Sequence, residues 1–535
     1  MAKKTLLQNA RIYDGTGAEP MVGDVLICGE RIVEVGSGLE SDDARVIDLD
    51  GLSLAPGFID AHSHNDWLAI KKQPRKYFDP FVRQGITSFV AGNCGLSAAG
   101  FEHGSAHLDR MGGGLFSLEA MSGTYATLDE FFAAIDGSTP MNMAMLTGHC
   151  SARTSVVGYE NRGLSDEELR RLLGILEDGL QAGGCGVSLG LMYEPGIYAP
   201  IDELRAVAEL CERYDAPLTV HARAYTATSM AYANPLGRPH NLRALDELRA
   251  IAQGTKLKLQ YSHAVMVGRR TLASSDKVIA HIDAMKASGI DVMFDIFAAD
   301  FGVSVITTIM PAWYQAMSAA EKRKPANKAL FTALVAVTKR LLGFGFDNML
   351  IADAGEQGRR FEGKTVAQIA HEENTSDIDA YLMLCEVSDY KGRIFMSPYN
   401  TTELTSTLSR HDLSLYMTDS WVEDHGVQYR SIYDCMPTFL HWSLVGSGAD
   451  MPTTIRKMSG AVADRFSLVD RGYVRPGCFA DLTVFDEDAL RIGTPNGGEP
   501  FGIEKVWING ALVLDGDTLD EAAFATSGRA LRVAR

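Results

Sequence analysis

Cysteine, long apolar runs and positive charge are all in short supply in this sequence. Its 535 residues hold eight cysteines, at 28, 94, 150, 185, 211, 385, 435 and 478, and none pairs with another as CxxC. That spacing excludes a disulfide framework and suits a reducing compartment. No uninterrupted apolar stretch approaches the roughly 20 residues of a membrane span. The opening MAKKTLLQNARIYDG has neither an apolar h-region nor a small-residue cleavage site, so the expectation is a cytoplasmic protein with no membrane partner. Lys and Arg number 50 against 68 Asp and Glu, a formal charge of −18. Such an excess repels phosphate backbones and argues against a nucleic-acid partner, although a pocket can differ from the mean.

What is present is ordinary globular material, 46% apolar and 22% charged, which excludes wholesale disorder. There is no low-complexity segment and no short repeat. The length allows about three domains, or one large barrel with an attachment.

The two ends read alike. LLQNARIYDG, DVLICGERIVEVG and ARVIDLDGLSLAPG are short alternating strands with glycine-containing turns, and GYVRPGCFADLTVFD and VWINGALVLDG repeat the style, the latter with an Asn509-Gly510 hairpin signal. The expectation is one β-sandwich module built from residues 1–55 and 466–535. Between them, apolar runs (GITSFVAGN, MNMAMLTGH, CGVSLGL, PLTVHAR, LKLQYSHA, IDVMFDIF) alternate with amphipathic stretches such as LSDEELRRLLGILEDGLQAG. That alternation predicts an α/β fold, a (β/α)8 TIM-like barrel over 56–465, with a helical insertion around 300–345 near the barrel mouth. A glycine-rich stretch, GFEHGSAHLDRMGGGLFS, has GGG at 112–114 but no P-loop lysine, and reads as a βα loop at the mouth.

The sharpest chemical signal is APGFIDAHSHNDW, residues 55–67. If the strand runs through it, His62 and His64 project to one face and can both ligate one metal, with Asp60 one step earlier and Asp66 just beyond. The C-terminal end of a first barrel strand is where such barrels build sites, and neutral imidazole suits zinc. His221, His263 and Asp419 each close a further apolar run, and three ligand-type residues ending three strands of one barrel outweigh the ordinary reading of a lone core histidine. Cys94, between the loop formers Asn93 and Gly95, sits at the mouth, where a thiolate would favour zinc. Trp421, His425 and Trp442 either line the pocket or pack the core.

PGFIDAHSH with a distal His, a second His and a final Asp resembles the amidohydrolase superfamily. AGNCG at 91–95, GHCSARTSVVG at 148–158, GVSLGLMYEPGIYA at 186–199, HAR at 221–223, YSHA at 261–264 and the segment 456–486 resemble its D-aminoacylase branch. The resemblance implies one or two Zn2+ ions, with His62 and His64 at one position and Cys94, His221 and His263 around the other. Cys94 would stand where many relatives use a carboxylated lysine, and GGCGVSLGL indeed carries no lysine. It further implies Asp419 as general base and acid, Tyr193 facing the substrate, and hydrolysis of an N-acyl amide. A cyclic-amide hydrolase or deaminase, or a barrel that has lost catalysis, are the rival readings. Self-association is common for such architectures, but no residue pattern fixes a subunit number.

The pattern departs from the branch where a substrate carboxylate would be held. DCMPTFLHW, 434–442, replaces a His-Pro-Arg pattern whose arginine serves that role; Ser262-His263-Ala264-Val265 lacks the extra His and Lys; FDIFAADFG replaces a tyrosine-bearing segment. A buried unpaired carboxylate is costly, so the expected substrate is bulkier or more apolar than an N-acyl-D-amino acid. Arg223 either replaces the missing partner or serves structurally.

Overall fold

The computed structural model describes residues 3–112, 115–116, 125–229, 231–232, 237–315 and 317–535; of the GGG run, positions 113 and 114 lie outside the described residues. Twenty strands order the described chain. β1 (Lys4–Ile12), β2 (Met21–Cys28), β3 (Arg31–Gly36), β4 (Ala44–Asp48) and β5 (Ser53–Pro56) come first. β6 (Phe58–Asp60), β7 (Ile86–Ala91), β8 (Asn142–Gly148), β9 (Gly186–Gly190), β10 (Pro217–His221), β11 (Lys258–Tyr261) and β12 (Asp291–Ile296) follow. Then come β13 (Gly302–Val305), β14 (Met349–Asp353), β15 (Arg393–Met396), β16 (Ser414–Tyr416), β17 (Leu482–Phe485), β18 (Ile503–Ile508), β19 (Ala511–Asp515) and β20 (Thr518–Leu519).

The ends of the chain share a mixed sheet in the order β20-β19-β18-β17-β5-β1-β2-β3, with β4 parallel to β1. Its seam is the antiparallel pair β17·β5, which registers Leu482 on Pro56 and Phe485 on Ser53. The β18–β19 hairpin turns at Asn509 (φ 49°) and Gly510 (φ 78°), the left-handed pair a two-residue hairpin needs. One face buries Leu7, Ile12, Val25, Ile27, Leu54, Leu482, Val484 and Trp507.

The barrel runs β16-β12-β11-β10-β9-β8-β7-β6, every neighbouring pair parallel. The seam between β6 and β16 is nearly closed by Ala61 N–H donating to Tyr416 O (3.2 Å) and Asp419 N–H to His62 O (3.1 Å). The strands β7 to β10 are buried at every position, which is why they read as continuous apolar runs rather than alternations. Helices cover the outside. Asp166–Gln181, capped by a reciprocal Ser165–Glu168 box, lays Leu172, Leu176 and Leu180 on the barrel at helical spacing. Among the described residues no helix is long and apolar enough to cross a membrane, and all eight cysteines are free.

The segment between β12 and β16 is larger and less helical than its sequence suggests. It holds the helix Pro325–Leu342 and others, but also an antiparallel sheet in the order β13-β15-β14, around a core of its own that includes Ile306, Tyr314, Phe331, Tyr381 and Ile394. It rests on the loops beyond β11 and β16. Gly268 N–H donates to Pro398 O (3.0 Å), the Asn400 amide bridges Met266 N–H and Ala264 O, and Val427 N–H donates to Ala352 O (2.8 Å). The insertion therefore sits at the C-terminal mouth of the barrel.

Candidate metal centre

β6 stops at Asp60, earlier than the sequence pattern implies, so His62 and His64 are not strand neighbours but lie in the turn that follows. The cause is local. The Asp60 carboxylate accepts from Thr418 N–H (2.9 Å), Thr418 Oγ1–H (2.6 Å) and His62 N–H (3.2 Å), and these bonds turn the chain across to the β16 loop. The two imidazoles still converge, with His62 Nε2 3.5 Å and His64 Nε2 3.6 Å from Asp419 Oδ1.

Cys94 lies in the loop after β7, in a turn built by glycines. Gly92 (φ 78°), Cys94 (φ 53°) and Gly95 (φ 73°) are all left-handed. Ser188 Oγ, from β9, accepts from Gly95 N–H (2.9 Å) and donates to Gly92 O (2.5 Å), fastening both ends of the turn. Close approach explains a third glycine: a Cβ on Gly190 would lie 2.0 Å from Cys94 O. The turn places Cys94 Sγ 3.3 Å from His62 Nε2, 3.4 Å from His221 Nδ1 and 3.3 Å from His263 Nε2.

His221 is the last residue of β10, as expected; His263 stands two residues past β11 with φ 34°, and Asp419 three past β16 with φ 49°. His221 Nδ1 and His263 Nε2 face each other at 3.1 Å, and Asp419 Oδ2 is 3.9 Å from His263 Nε2. Two ligand groups thus share His62: His62–Cys94–His263 and His62–His64–Asp419, with the ligand atoms of each group within 4.8 Å of one another.

The donor set fits a divalent cation. Four ring nitrogens, a thiol sulfur and a carboxylate point at one another, and one thiol proton cannot satisfy three imidazole nitrogens around Sγ. Burial works to hold the His62, His221 and His263 pKa values below the ordinary imidazole value, toward the neutral form that ligates metal. Burial also drives the Cys94 thiol well above its usual value, so a cation is what would make it a thiolate. For Asp419, burial works to raise the pKa, but His263, His64 and His62 outweigh it and leave the carboxyl well below its usual range. That carboxylate keeps 24% of its side-chain exposure, enough to face incoming solvent.

Asp295 and Tyr225 belong to the site but escape a motif reading. Asp295, inside the apolar run of β12, accepts from His263 N–H (2.6 Å) and the Gln260 amide (2.8 Å), and stands 3.7 Å from His62 Nδ1; burial lifts its pKa to about 8. Its only sequence signal is an acid in the middle of VMFDIF. Tyr225, four residues after His221, lies edge-on to His221 and His263 at 4.9 and 5.2 Å, and its hydroxyl links Ala222 N–H to Ser262 O. Asp66 is turned away from the centre and accepts from Ala98 N–H.

Tyr193 tilts against the His221 ring at 4.5 Å, and its hydroxyl has no hydrogen-bond partner among the described residues. Of the two readings open for Arg223, its contacts are those of the structural one. Its Nε and Nη2 pair with Glu247 at 3.0 Å, Nη1 donates to Ile197 O (2.6 Å) and Nη2 to Ala199 O (3.2 Å). These bonds commit the guanidinium to Glu247 and brace the loop that carries Tyr193. Trp442 packs on Phe439 in the core, whereas Trp421 stands beside His64.

The chain is similar to known proteins in sequence and in fold. The family model described as Amidohydrolase family (Amidohydro_3) matches residues 45–295. The chain is 28% identical over 524 residues to N-acyl-D-aspartate deacylase of Alcaligenes xylosoxydans xylosoxydans, covering 96% of this chain and 92% of that one. It is 26% identical over 516 residues to the D-aminoacylase of the same organism, covering 95% and 94%. Among solved structures it resembles D-aminoacylase, described for a binuclear metal centre, with a TM-score of 0.78 at 23% identity over 99% of both chains. It likewise resembles N-acyl-D-glutamate deacylase from Bordetella bronchiseptica complexed with zinc and a phosphonate inhibitor, with a TM-score of 0.79 at 22% identity over 100% of both. The resemblance to amidohydrolases of the D-aminoacylase branch is borne out along the chain, and so is the barrel with a sheet from both termini.

Proposed function

We propose that this amidohydrolase cleaves a C–N amide bond of a neutral N-acyl compound with a metal-activated water, using one or two zinc ions, with Asp419 as the proton-transferring carboxylate. The observation that carries this reading is the Asp419 carboxylate lying 3.5–3.9 Å from three imidazoles, opposite a thiol that gathers three ring nitrogens. His62 and His64 would hold one position and Cys94, His221 and His263 the other, with soft sulfur and imidazole donors favouring zinc. A divalent ion bound there supplies acidification of water and polarisation of the amide carbonyl.

The chain's own residues do the rest. Asp419 takes the proton of the attacking water and returns it to the departing nitrogen. Tyr193 remains a neutral phenol because burial pushes its pKa well above the ordinary value, so its hydroxyl can donate to the amide carbonyl. Asp295 holds the His263 backbone and faces the far nitrogen of His62, which orients two ligands.

The neutral substrate is supported by the pairing of several cations near the mouth with acids of the protein. Arg223 is bound to Glu247, Lys71 and Lys76 to Asp424, Arg430 to Asp300 and Arg393 to Glu423. The residues not described contain neither lysine nor arginine. The test is turnover by chelated and zinc-restored full-length protein of neutral anilides and of N-acyl-D-amino acids. Zinc-dependent turnover with the neutral amides ahead is expected; preference for the free acids would overturn the substrate class, and turnover indifferent to chelation would overturn the metal.

A further inference from the structure

Trp421 is two residues past Asp419, and nothing in the reaction described above uses it. Its indole is 7% exposed and stands edge-on to His64, with ring centroids 5.4 Å apart at 87°. Phe116, from the glycine-rich loop, closes the same corner at 4.8 Å from Trp421 and 5.3 Å from His64, and stacks on Trp67 at 5.2 Å with planes 8° apart. The centre therefore has two walls of different character. Beside His221 stands a phenol, Tyr193, whose hydroxyl has no partner among the described residues; beside His64 stand two aromatic rings that offer no charge.

The indole is also held. Trp421 Nε1–H donates to Glu423 Oε1 (2.6 Å), and Arg393 Nε lies 2.9 Å from the same oxygen. Arg393 is the first residue of β15, and its Nη2 donates to His425 O (2.8 Å). Arg393 and Glu423 are both largely withdrawn from water, with side-chain exposures of 7% and 21%. The insertion thus reaches across the mouth and fixes the orientation of one ring beside a candidate ligand. A surface tryptophan needs no such brace, whereas a ring that must present one face to a bound group does.

Resting on the neutral-amide reading, we propose that Trp421 is the specificity-determining residue of this site: with Phe116 it forms an aromatic wall over His64 that takes an uncharged apolar substituent of the amide, while Glu423 and Arg393 act as positioning residues for its indole. A carboxylate at that substituent would meet aromatic faces and would be rejected by the cost of its desolvation. An aryl or long alkyl group would be taken by burial and ring contact.

The experiment uses zinc-loaded full-length protein, Trp421→Ala, Trp421→Phe and Glu423→Gln. Substrates are paired amides carrying a phenyl or a methyl group on either side of the bond. For the side that meets the wall, the phenyl-over-methyl ratio of kcat/KM is expected to fall on the order of tenfold or more in Trp421→Ala and to be partly restored in Trp421→Phe. Glu423→Gln is expected to raise KM for the phenyl amide more than it lowers kcat. Independently of turnover, quenching of tryptophan fluorescence by the phenyl amide is expected in the unsubstituted protein, and a smaller quench in Trp421→Phe, where Trp67 behind Phe116 is the remaining reporter. An unchanged phenyl-over-methyl ratio in both Trp421 variants overturns the inference while leaving amide hydrolysis standing. Quenching without turnover of any amide supports the wall and sinks the hydrolase reading instead.

Discussion

Three residues that face the centre, Cys94, His263 and Asp419, carry left-handed backbones at φ 53°, 34° and 49°. Side chains rarely adopt that region, and each instance costs about 1–3 kcal/mol. The surroundings impose it: Ser188 ties the Cys94 turn, Asp295 takes the His263 N–H, and Asp60 takes two groups of Thr418 beside Asp419. Asn tolerates this backbone as well as Asp does, so Asp419→Asn is expected to fold and retain metal while kcat falls on the order of 10²–10⁴-fold; metal analysis beside steady-state rates checks both halves. Cys94→Ala removes the sulfur that gathers three imidazoles, and metal bound per chain after gel filtration should drop sharply with little change in melting temperature of the chelated forms. Arg223→Ala leaves Glu247 half-buried and unpaired and unbraces the carbonyls of Ile197 and Ala199. It should cost about 3–5 kcal/mol in denaturant unfolding and leave the ranking of neutral amides over free acids as it was; a selective loss on free acids would instead restore Arg223 as a carboxylate partner.

At the scale of single elements, what could be read in advance was what repeats locally. The buried barrel strands are unbroken apolar runs, and the helix Asp166–Gln181 announces both its cap and its leucine face. What has no local period stayed hidden. β6 ends at Asp60 because of hydrogen bonds to Thr418, 358 positions away. The sheet of the insertion is made of strands four or five residues long, one beginning on the charged Arg393, too short to separate from loop. Asp295 and the buried trio His149, Arg153 and Glu203 meet only after folding. The cap itself makes a prediction. The Arg162 guanidinium, and the Ser165 N–H that the box contributes, hold the Glu168 carboxyl at about 2, below its ordinary 4.5. A depressed acid contributes stability above its unfolded pKa and loses it as pH falls through the folded one. Glu168→Gln should therefore cost up to about 1 kcal/mol near neutrality, in line with a partly exposed charge network. That difference should shrink as pH drops from 4.5 toward 2; comparing melts of the two proteins across that range checks it, and a constant difference would assign the effect to packing.

Across the whole molecule, the two ends of the chain must be held to each other and to the barrel, and the polar residues that do so are buried. We propose that residues 1–55 with 466–535 form one module and 56–465 the other, and their junction turns on Asp481. Its carboxylate takes the Arg471 guanidinium, the Asn509 N–H (2.7 Å) and the Asn142 amide (3.1 Å) from the start of β8. Asn509 in turn donates to Asn142 Oδ1 and Ser527 O, both at 2.7 Å, and Arg471 Nη2 donates to Asn509 Oδ1 (2.8 Å). One carboxylate thus anchors a hairpin of the terminal sheet to a barrel strand, with Arg471 and Asp481 both about 95% withdrawn from water. Removing it leaves a buried arginine without its counter-charge, which typically costs about 3–5 kcal/mol, whereas deleting an exposed pair costs little. Asp481→Ala should therefore weaken the terminal sheet first, and Trp507 in β18 and Trp67 beside the metal centre lie on opposite sides of the junction. In the unsubstituted protein the two are expected to report one transition in denaturant. In Asp481→Ala the change that depends on Trp507, isolated by comparison with a Trp507→Phe background, should move to lower denaturant ahead of the one that depends on Trp67. Coincident transitions in the variant would mean that apolar packing, not this polar knot, couples the two halves.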